Sequence, residues 1–181
     1  MVRTLTAAAL VAALSLTASA ADVSFPLTGE NTKLTFVGKK PDGKHEGGFK
    51  TLTGTATVTD GNVETLKAEI EIDMNSMYTD NEKLTGHLKN SDYFDVQKYP
   101  NATFKVTKVE KADKLYTVTG ELTMHGKTEP VSFPASISTD ASGLSLSTSF
   151  PIDRSKWGMT YEKGVEKTVP LTIAVTAKPK K

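Results

Sequence analysis

The chain has 181 residues, of which 38% are hydrophobic, and it contains 22 Lys and Arg residues and 21 Asp and Glu residues. This near-neutral balance argues against nucleic acid as the main partner, because such proteins neutralise phosphates with clustered basic residues. The absence of cysteine excludes disulfides, thiol catalysis and a cysteine-linked lipid anchor, and the length is that of one domain with a sizeable core.

The first twenty residues have the pattern of a secretory signal peptide. Arg3 supplies the positive start, a short apolar run extends from Leu5 to Leu16, and Ala18-Ser19-Ala20 has the small-residue cleavage pattern. A spanning helix needs about 20 apolar residues, so this run is too short to cross a membrane. We predict a signal peptide over residues 1–20 and a mature domain over residues 21–181, exported to a bacterial periplasm or the extracellular space. A buried N-terminal helix is the alternative.

The rest of the chain has an apolar period of two, which is typical of strands with one wet face and one apolar face. The clearest row is Leu66 to Met74, and Gly120 interrupts another row, where a glycine often marks a bulge or a barrel bend. About eight short strands predict a sandwich or a closed antiparallel barrel. A barrel of that size either fills with side chains or holds one small ligand. The predicted rows cover residues 34–37, 49–59, 66–74, 102–106, 116–124, 131–137, 144–152 and 169–175.

One short helix interrupts the strands. Thr79 and Glu82 have the spacing of a capping box, in which each side chain binds a free backbone N–H at the helix start. Leu84, His87 and Leu88 follow at i, i+3 and i+4 and share one face. Aromatic residues and then a further strand come after the helix. This order predicts a lid over one end of the barrel, and we expect the lid to move.

The histidines and carboxylates indicate little covalent chemistry. His45, His87 and His125 lie far apart without metal-ligand spacing, so we predict no metal site. His45 is expected in a polar, glycine-rich loop. His87, on the inner face of the helix, is a candidate polar contact at a pocket mouth. An enzyme would need a pair such as His87 with Asp92 or Asp95, and the sequence contains no nucleophile or phosphate-loop motif.

The segment from Asp153 to Met159 is the second unusual one. It places a charged pair and the only tryptophan, Trp157, at the end of a strand. Trp157 is expected to plug the barrel or to line a ligand mouth. Arg154 is expected to tie loop carbonyls together, to pair with Asp153, or to contact a ligand.

Four ordered segments resemble the signatures of the YceI-like family. They are HLKNSDYFDVQKYPNATF, GELTMHGKTEPV from Gly120 to Val131, the segment from Asp153 to Met159, and Gly48-Phe49 with Leu52-Thr53-Gly54. The resemblance covers essentially the whole mature chain. It implies a lipocalin-like antiparallel β-barrel of about eight strands with a short helical insertion near one end. It also implies binding of long isoprenoid chains in an apolar interior, export to the periplasm, and a possible homodimer.

The combined prediction is a secreted carrier of a long-chain isoprenoid lipid, of the polyprenol or quinone type, with no catalytic residue, no metal and no cofactor. Its partners would be the apolar ligand and a transient membrane or lipid-transfer partner. The alternatives are a stress-related structural or partner-binding module with a filled barrel, and an enzyme acting on a lipid-like substrate. The candidate ligand-binding residues are Phe36, Phe49, Ile70, Ile72, Leu84, His87, Leu88, Phe94, Phe104, Phe133, Phe150, Arg154 and Trp157.

Overall fold

The structure is a computed structural model that describes residues 20–41, 43–140, 142–160 and 165–180. The predicted signal peptide, apart from its last residue, lies outside the described residues. The strands and helices within the described ranges have the following bounds: β1 Asp22–Thr28, β2 Thr32–Lys40, β3 Gly43–Phe49, β4 Leu52–Thr59, β5 Asn62–Asp73, β6 Met77–Thr79, α1 Glu82–Lys89, β7 Asn101–Ala112, β8 Leu115–Met124, β9 Lys127–Asp140, β10 Gly143–Asp153 and β11 Thr168–Ala177, with short 3₁₀ turns at Met74–Ser76 and Arg154–Trp157.

All strand pairs are antiparallel and form one strongly curled sheet in the order β1-β4-β5-β7-β8-β9-β10-β11-β2-β3-β6. The two ends of this order are joined by the chain, because β3 runs into β4 and β5 runs into β6. Across both junctions the pairing continues: Lys50 N–H donates to the Ser76 carbonyl (3.3 Å) and Asp73 N–H to the Thr51 carbonyl (3.1 Å). The curled sheet therefore returns on itself and encloses an interior.

The predicted fold class is confirmed, but the strand count of about eight is wrong, since the described residues contain eleven strands. The predicted rows missed three strands, β1, β3 and β6, apart from Phe49 at the end of β3. The row over residues 49–59 also ran across the bend at Lys50–Thr51 that divides β3 from β4, and the row over residues 66–74 ended at the 3₁₀ turn that precedes β6. Glycines in β3 and the three-residue length of β6 leave little apolar alternation for a sequence pattern to detect.

The glycine in β8 marks an irregularity, as predicted. Val106 pairs with Gly120 and Lys108 with Thr119, which leaves Thr107 as the extra residue of a bulge in β7. A Cβ atom on Gly120 would lie 2.5 Å from Cζ of Phe104. The missing side chain therefore allows the Phe104 ring to lie directly over β8.

Packed aromatic rings fill one part of the interior. The rings of Phe133 and Phe150 are stacked with centroids 4.1 Å apart and an interplanar angle of 6°, and Phe104 approaches Phe133 at 5.9 Å. Phe25, Val58 and other apolar residues are almost completely buried in the same hydrophobic core. Side chains therefore fill this part of the interior, as they do in protein cores generally.

The start of α1 differs from the predicted capping box. The N-cap is Asn81, whose side-chain oxygen accepts a hydrogen bond from Leu84 N–H (3.0 Å). Thr79 ends β6 instead, and its hydroxyl lies 2.8 Å from that of Thr85. Asn is as good an N-cap as Thr, and Thr79 is held by its strand, so the cap forms two residues later.

Candidate functional site

An apolar cavity of about 290 Å³ lies beneath α1. Its walls come from inward-facing residues of seven strands, from α1 and from the segments that follow α1 and β10. The lining residues are Leu34, Phe36, Gly38, Lys40, His45, Phe49, Ile72, Met74, Leu84, His87, Leu88, Tyr93, Phe94, Ala102, Leu122, Met124, Ile152, Arg154, Met159, Val165, Val169 and Leu171.

The inner face of β2 shows how the cavity is built. Leu34, Phe36, Gly38 and Lys40 alternate along this strand, and all four line the cavity. Leu34 and Phe36 are only partly buried, although they face the interior. Apolar side chains inside a curled sheet stay accessible only where nothing packs against them. The inward-facing residues of β2 therefore form an apolar surface that borders empty space, and the row ends at the amine of Lys40.

Helix α1 supplies the cover of the cavity. Leu84, His87 and Leu88 all line it, which confirms that they share one face. The imidazole of His87 meets the ring of Tyr93 edge to face with centroids 5.2 Å apart. No residue of α1 is fully buried. Few buried apolar contacts are typical of segments that open locally, as a lid would.

Arg154 forms the polar floor of the cavity. It is buried, with 6% of its surface exposed. Its guanidinium donates to the Glu166 carbonyl (3.2 Å), the Val165 carbonyl (3.1 Å) and the Met159 carbonyl. Of the expected roles, tying loop carbonyls together is therefore confirmed. These hydrogen bonds hold Met159, Val165 and Glu166 beside Arg154.

Trp157 acts as a plug. It is 1% exposed, and its indole N–H donates to the Leu122 carbonyl (2.9 Å). The Trp157 carbonyl in turn contacts Nδ1 of His125 at 3.0 Å. These contacts seal the barrel and leave Trp157 outside the cavity lining.

A second, more open recess of about 420 Å³ adjoins the cavity. Lys40, His45, Leu84 and His87 line both spaces, and Asn81 and Lys83 line only the recess. The recess is therefore the polar mouth of the apolar cavity.

A side-chain contact between His45 and Asp80, which we call the latch, connects β3 to the start of α1 at the mouth. Asp80 lies 2.8 Å from Nδ1 of His45, and its second oxygen accepts from Glu46 N–H at 3.1 Å. The Glu46 N–H and then the His45 side chain lower the pKa of the Asp80 carboxyl below its usual 3.8. The lowered pKa favours the ionised form of the Asp80 carboxyl in the latch.

The structure brings eight of the thirteen candidate ligand-binding residues together around the cavity, namely Phe36, Phe49, Ile72, Leu84, His87, Leu88, Phe94 and Arg154. The other five lie elsewhere: Phe104, Phe133 and Phe150 in the aromatic stack, Ile70 against the core, and Trp157 in the plug. The aromatic stack fills the part of the interior in which Phe104, Phe133 and Phe150 were predicted to contact a ligand. Whether the eight residues bind a ligand stays a prediction.

The sequence reasoning missed several lining residues. Leu34, Leu122, Met124, Ile152 and Leu171 lie in strands that were recognised, within the apolar rows of those strands. Strand parity was the signal that pointed to them. The placement of His45 in a loop was wrong, because it lies in β3, opposite Gly38 of β2. Glycines around it concealed the strand.

The described residues show little of the geometry that metal or acid–base chemistry needs. Within residues 20–41, 43–140, 142–160 and 165–180, no three His, Cys, Asp or Glu side chains are grouped to hold a metal ion. Asp92 is exposed, and neither Asp92 nor Asp95 lines the cavity with His87. No helix in those ranges is long and apolar enough to cross a membrane.

Comparison with known sequences agrees with this architecture. A family model described as the YceI-like domain matches residues 22–177. A UPF0312 protein of Vibrio parahaemolyticus is 33% identical over 132 residues, which cover 72% of this chain and 70% of that protein. Protein YceI of Salmonella arizonae is 35% identical over 91 residues, which cover 50% of this chain and 48% of that protein. The chain thus spans about half the length of several curated relatives that it matches.

Solved structures share the fold. BcnA of Burkholderia cenocepacia superposes with a TM-score of 0.74 at 25% identity, over 81% of this chain and 96% of that chain. The YceI protein of Campylobacter jejuni gives 0.68 at 28% identity, over 75% and 85%. A polyisoprenoid-binding domain of Saccharophagus degradans gives 0.67 over 87% and 98%, and at 17% identity this likeness shows the fold alone.

Proposed function

Because the chain belongs to the YceI-like family, we propose that it is an exported carrier that binds a long-chain isoprenoid lipid in the cavity beneath α1. The observation that carries the proposal is an apolar cavity whose inward-facing side chains, such as Leu34 and Phe36, are only partly buried. Polyisoprenoid binding by the Saccharophagus domain makes this ligand class the first to test. The proposed ligand class includes polyprenols and quinones.

Hydrophobic burial supplies the driving force for such a ligand. Each methylene moved from water into the cavity contributes roughly 0.8 kcal/mol. Ordering a flexible chain opposes binding, so affinity grows more slowly than the number of buried carbons. A long isoprenoid therefore gains enough from a few enclosed units without any strong polar contact.

The cavity volume supports the prediction that the lid moves. A volume of about 290 Å³ lies at the lower limit of ligand pockets, which hold about 300–1,000 Å³. A long chain needs more room, and α1 is the wall with no fully buried residue. We expect amides of residues 80–91 to exchange faster than those of the neighbouring strands and to slow down when lipid binds. Slow exchange in both states would contradict a moving lid.

The competing functions have less support. A completely filled barrel would leave no cavity, whereas the aromatic stack fills only one part of the interior of this barrel. An enzyme would need a base and an acid converging on the cavity. There His87 packs against Tyr93, and Arg154 holds backbone carbonyls. We therefore propose binding without covalent chemistry. Export, a homodimer and a transient membrane partner stay predictions.

The test is native mass spectrometry of the chain purified from a bacterial periplasm, followed by organic extraction of whatever is released. A co-purifying isoprenoid near one-to-one stoichiometry would establish the ligand class, and recovery from the periplasm would establish export. The apo protein should then take up the same lipid in titration. An apo mass that no isoprenoid alcohol or quinone changes would refute the carrier function.

A further inference from the structure

The backbone of Ala21, just before β1, is bound to the turn between β4 and β5. Ala21 N–H donates a hydrogen bond to Oδ1 of Asp60 (2.8 Å), and Asp60 N–H donates to the Ala21 carbonyl (3.0 Å). Ala20 and Ala21 are both exposed, and β1 begins at Asp22. The Asp60 carboxylate therefore lies against the backbone nitrogen that the predicted cleavage after Ala20 would convert into a free amine.

The turn itself does not require this carboxylate. Thr59 pairs with Asn62, so Asp60 and Gly61 form a two-residue hairpin turn, and both have a positive φ (51° and 69°). Turns with positive φ at both central residues favour Asn-Gly as well as Asp-Gly, because both side chains tolerate this conformation. Asparagine at this position would also keep an acceptor oxygen for Ala21 N–H. What aspartate adds is a negative charge beside the Ala21 nitrogen.

The carboxylate next to Ala21 in the chain has another partner. Asp22 lies opposite Thr59 in the pairing of β1 with β4, and its Oδ1 accepts a hydrogen bond from the Thr59 hydroxyl. This contact holds the Asp22 side chain on β4. The carboxylate oxygen that the Ala21 nitrogen contacts belongs to Asp60.

These contacts lie at the end of the barrel away from the lipid cavity. Strand β5 starts beside the turn, at Asn62, and Ile72 near its other end lines the cavity. A strand rises about 3.3 Å per residue, so roughly 30 Å of β5 separates the turn from the cavity. A change at Ala21 is therefore expected to leave the cavity unaltered.

From this arrangement we infer that cleavage of the chain after Ala20 completes an ion pair within the fold, between the new α-ammonium group of Ala21 and the carboxylate of Asp60. Hydrolysis of the Ala20–Ala21 peptide bond consumes one water, leaves a carboxylate on Ala20 and gives Ala21 an amine that is protonated at neutral pH. Processing therefore adds a charge-assisted contact between the start of β1 and the β4–β5 turn. The inference rests on the proposed export and adds to it the position of cleavage and its effect on the fold.

The test is a double-mutant cycle on the chain that begins at Ala21. One change places Gly-Ser before Ala21, which moves the α-amine away and restores a peptide N–H without altering the net charge. The other change is Asp60→Asn, which keeps the acceptor and suits the turn. Asp113→Asn is the matched control, because Asp113 has the same left-handed conformation in the β7–β8 turn (φ 55°). Melting temperatures are measured at low and high salt, after the N-terminus of the chain purified from a bacterial periplasm has been sequenced.

We expect Ala21 to be the first residue of the periplasmic protein. The Gly-Ser extension should lower the melting temperature by about 1–3 °C, as an exposed ion pair in a domain of this size allows. The extension should have no effect in Asp60→Asn, whereas in Asp113→Asn its full effect should persist. High salt should reduce the effect, because it screens exposed charges.

Two kinds of result would overturn the inference and leave export and lipid binding standing. The first is an unchanged melting temperature on extension, or a loss of the same size in Asp60→Asn, since either would show that no ion pair with Asp60 had been removed. The second is a periplasmic protein that begins at a residue other than Ala21. A chain that stays outside the periplasm and keeps residues 1–20 would instead refute the proposed export, on which the inference rests.

Discussion

Gly38 offers the sharpest test of whether lipid occupies the cavity. It lies on the inner face of β2 between Phe36 and Lys40, and a Cβ atom there would meet only the His45 carbonyl oxygen, at 3.9 Å. That distance is an ordinary contact. Gly38→Leu should therefore fold normally and extend its side chain into the cavity. Replacing a strand glycine should leave the free energy of unfolding unchanged or raise it by up to about 1 kcal/mol.

The same substitution should weaken lipid binding strongly. The leucine side chain takes the space of about four methylene groups of the ligand, at roughly 0.8 kcal/mol each, or about 3 kcal/mol. Affinity for an isoprenoid should fall about a hundredfold. Urea unfolding and a lipid titration measure the two quantities.

Two control variants make this result interpretable. Thr35→Leu adds apolar bulk to the outer face of β2 and should leave affinity unchanged. Gly47→Leu should destabilise the fold, because its Cβ atom would lie 2.5 Å from Cζ of Phe36 and 2.6 Å from the Tyr78 carbonyl oxygen. An unchanged affinity in folded Gly38→Leu would refute the assignment of the cavity as the lipid site. A stability loss of more than about 1 kcal/mol would show that the cavity is not open at this position.

Three further predictions concern the packed core, the floor and the latch. Ala135→Phe, in the filled part of the barrel where Ala135 is 1% exposed, should overpack and cost about 1–3 kcal/mol in urea unfolding; a stable variant with reduced lipid affinity would place Ala135 at the cavity instead. Arg154→Lys should lower the free energy of unfolding by about 1.5–3 kcal/mol, because an ammonium group cannot reach all three carbonyls held by the guanidinium. An unchanged free energy of unfolding would contradict a stabilising role for these hydrogen bonds. The pKa of Asp80 is lowered in the fold, so its latch should be complete above pH 3.8 and lost as pH falls through the lower folded value. The hydrogen-exchange rate of the Glu46 amide should differ between the unchanged protein and Asp80→Ala only while the Asp80 carboxyl is ionised. A difference in this rate that persists in strong acid would exclude the Asp80 carboxylate as its cause.

Local sequence patterns were enough for the fold class, the helix and the family. The alternation from Leu66 to Met74 and the spacing of Leu84, His87 and Leu88 depend on residues close in sequence, and both are present in the structure. The cap at Asn81 and the breaks at Lys50–Thr51 and Met74–Ser76 were not predictable in the same way. Each depends on the competition between neighbouring turns and on pairing with a distant strand.

The division of the interior into a packed part and an empty part was decided only by the tertiary structure. Phe36 and Phe133 are both inward-facing aromatic residues, yet one lines the cavity and the other is stacked on Phe150. A void reflects the summed volumes of side chains from many strands, and no single row of residues records that sum. The charged mouth has the same origin, since Lys40 and His45 come together only through the register of β2 on β3. The sequence by itself therefore determined that this chain forms a curled antiparallel sheet with a helical lid, because apolar periodicity is local. Where that sheet is hollow, and which charges border the opening, followed from contacts between residues far apart in the chain.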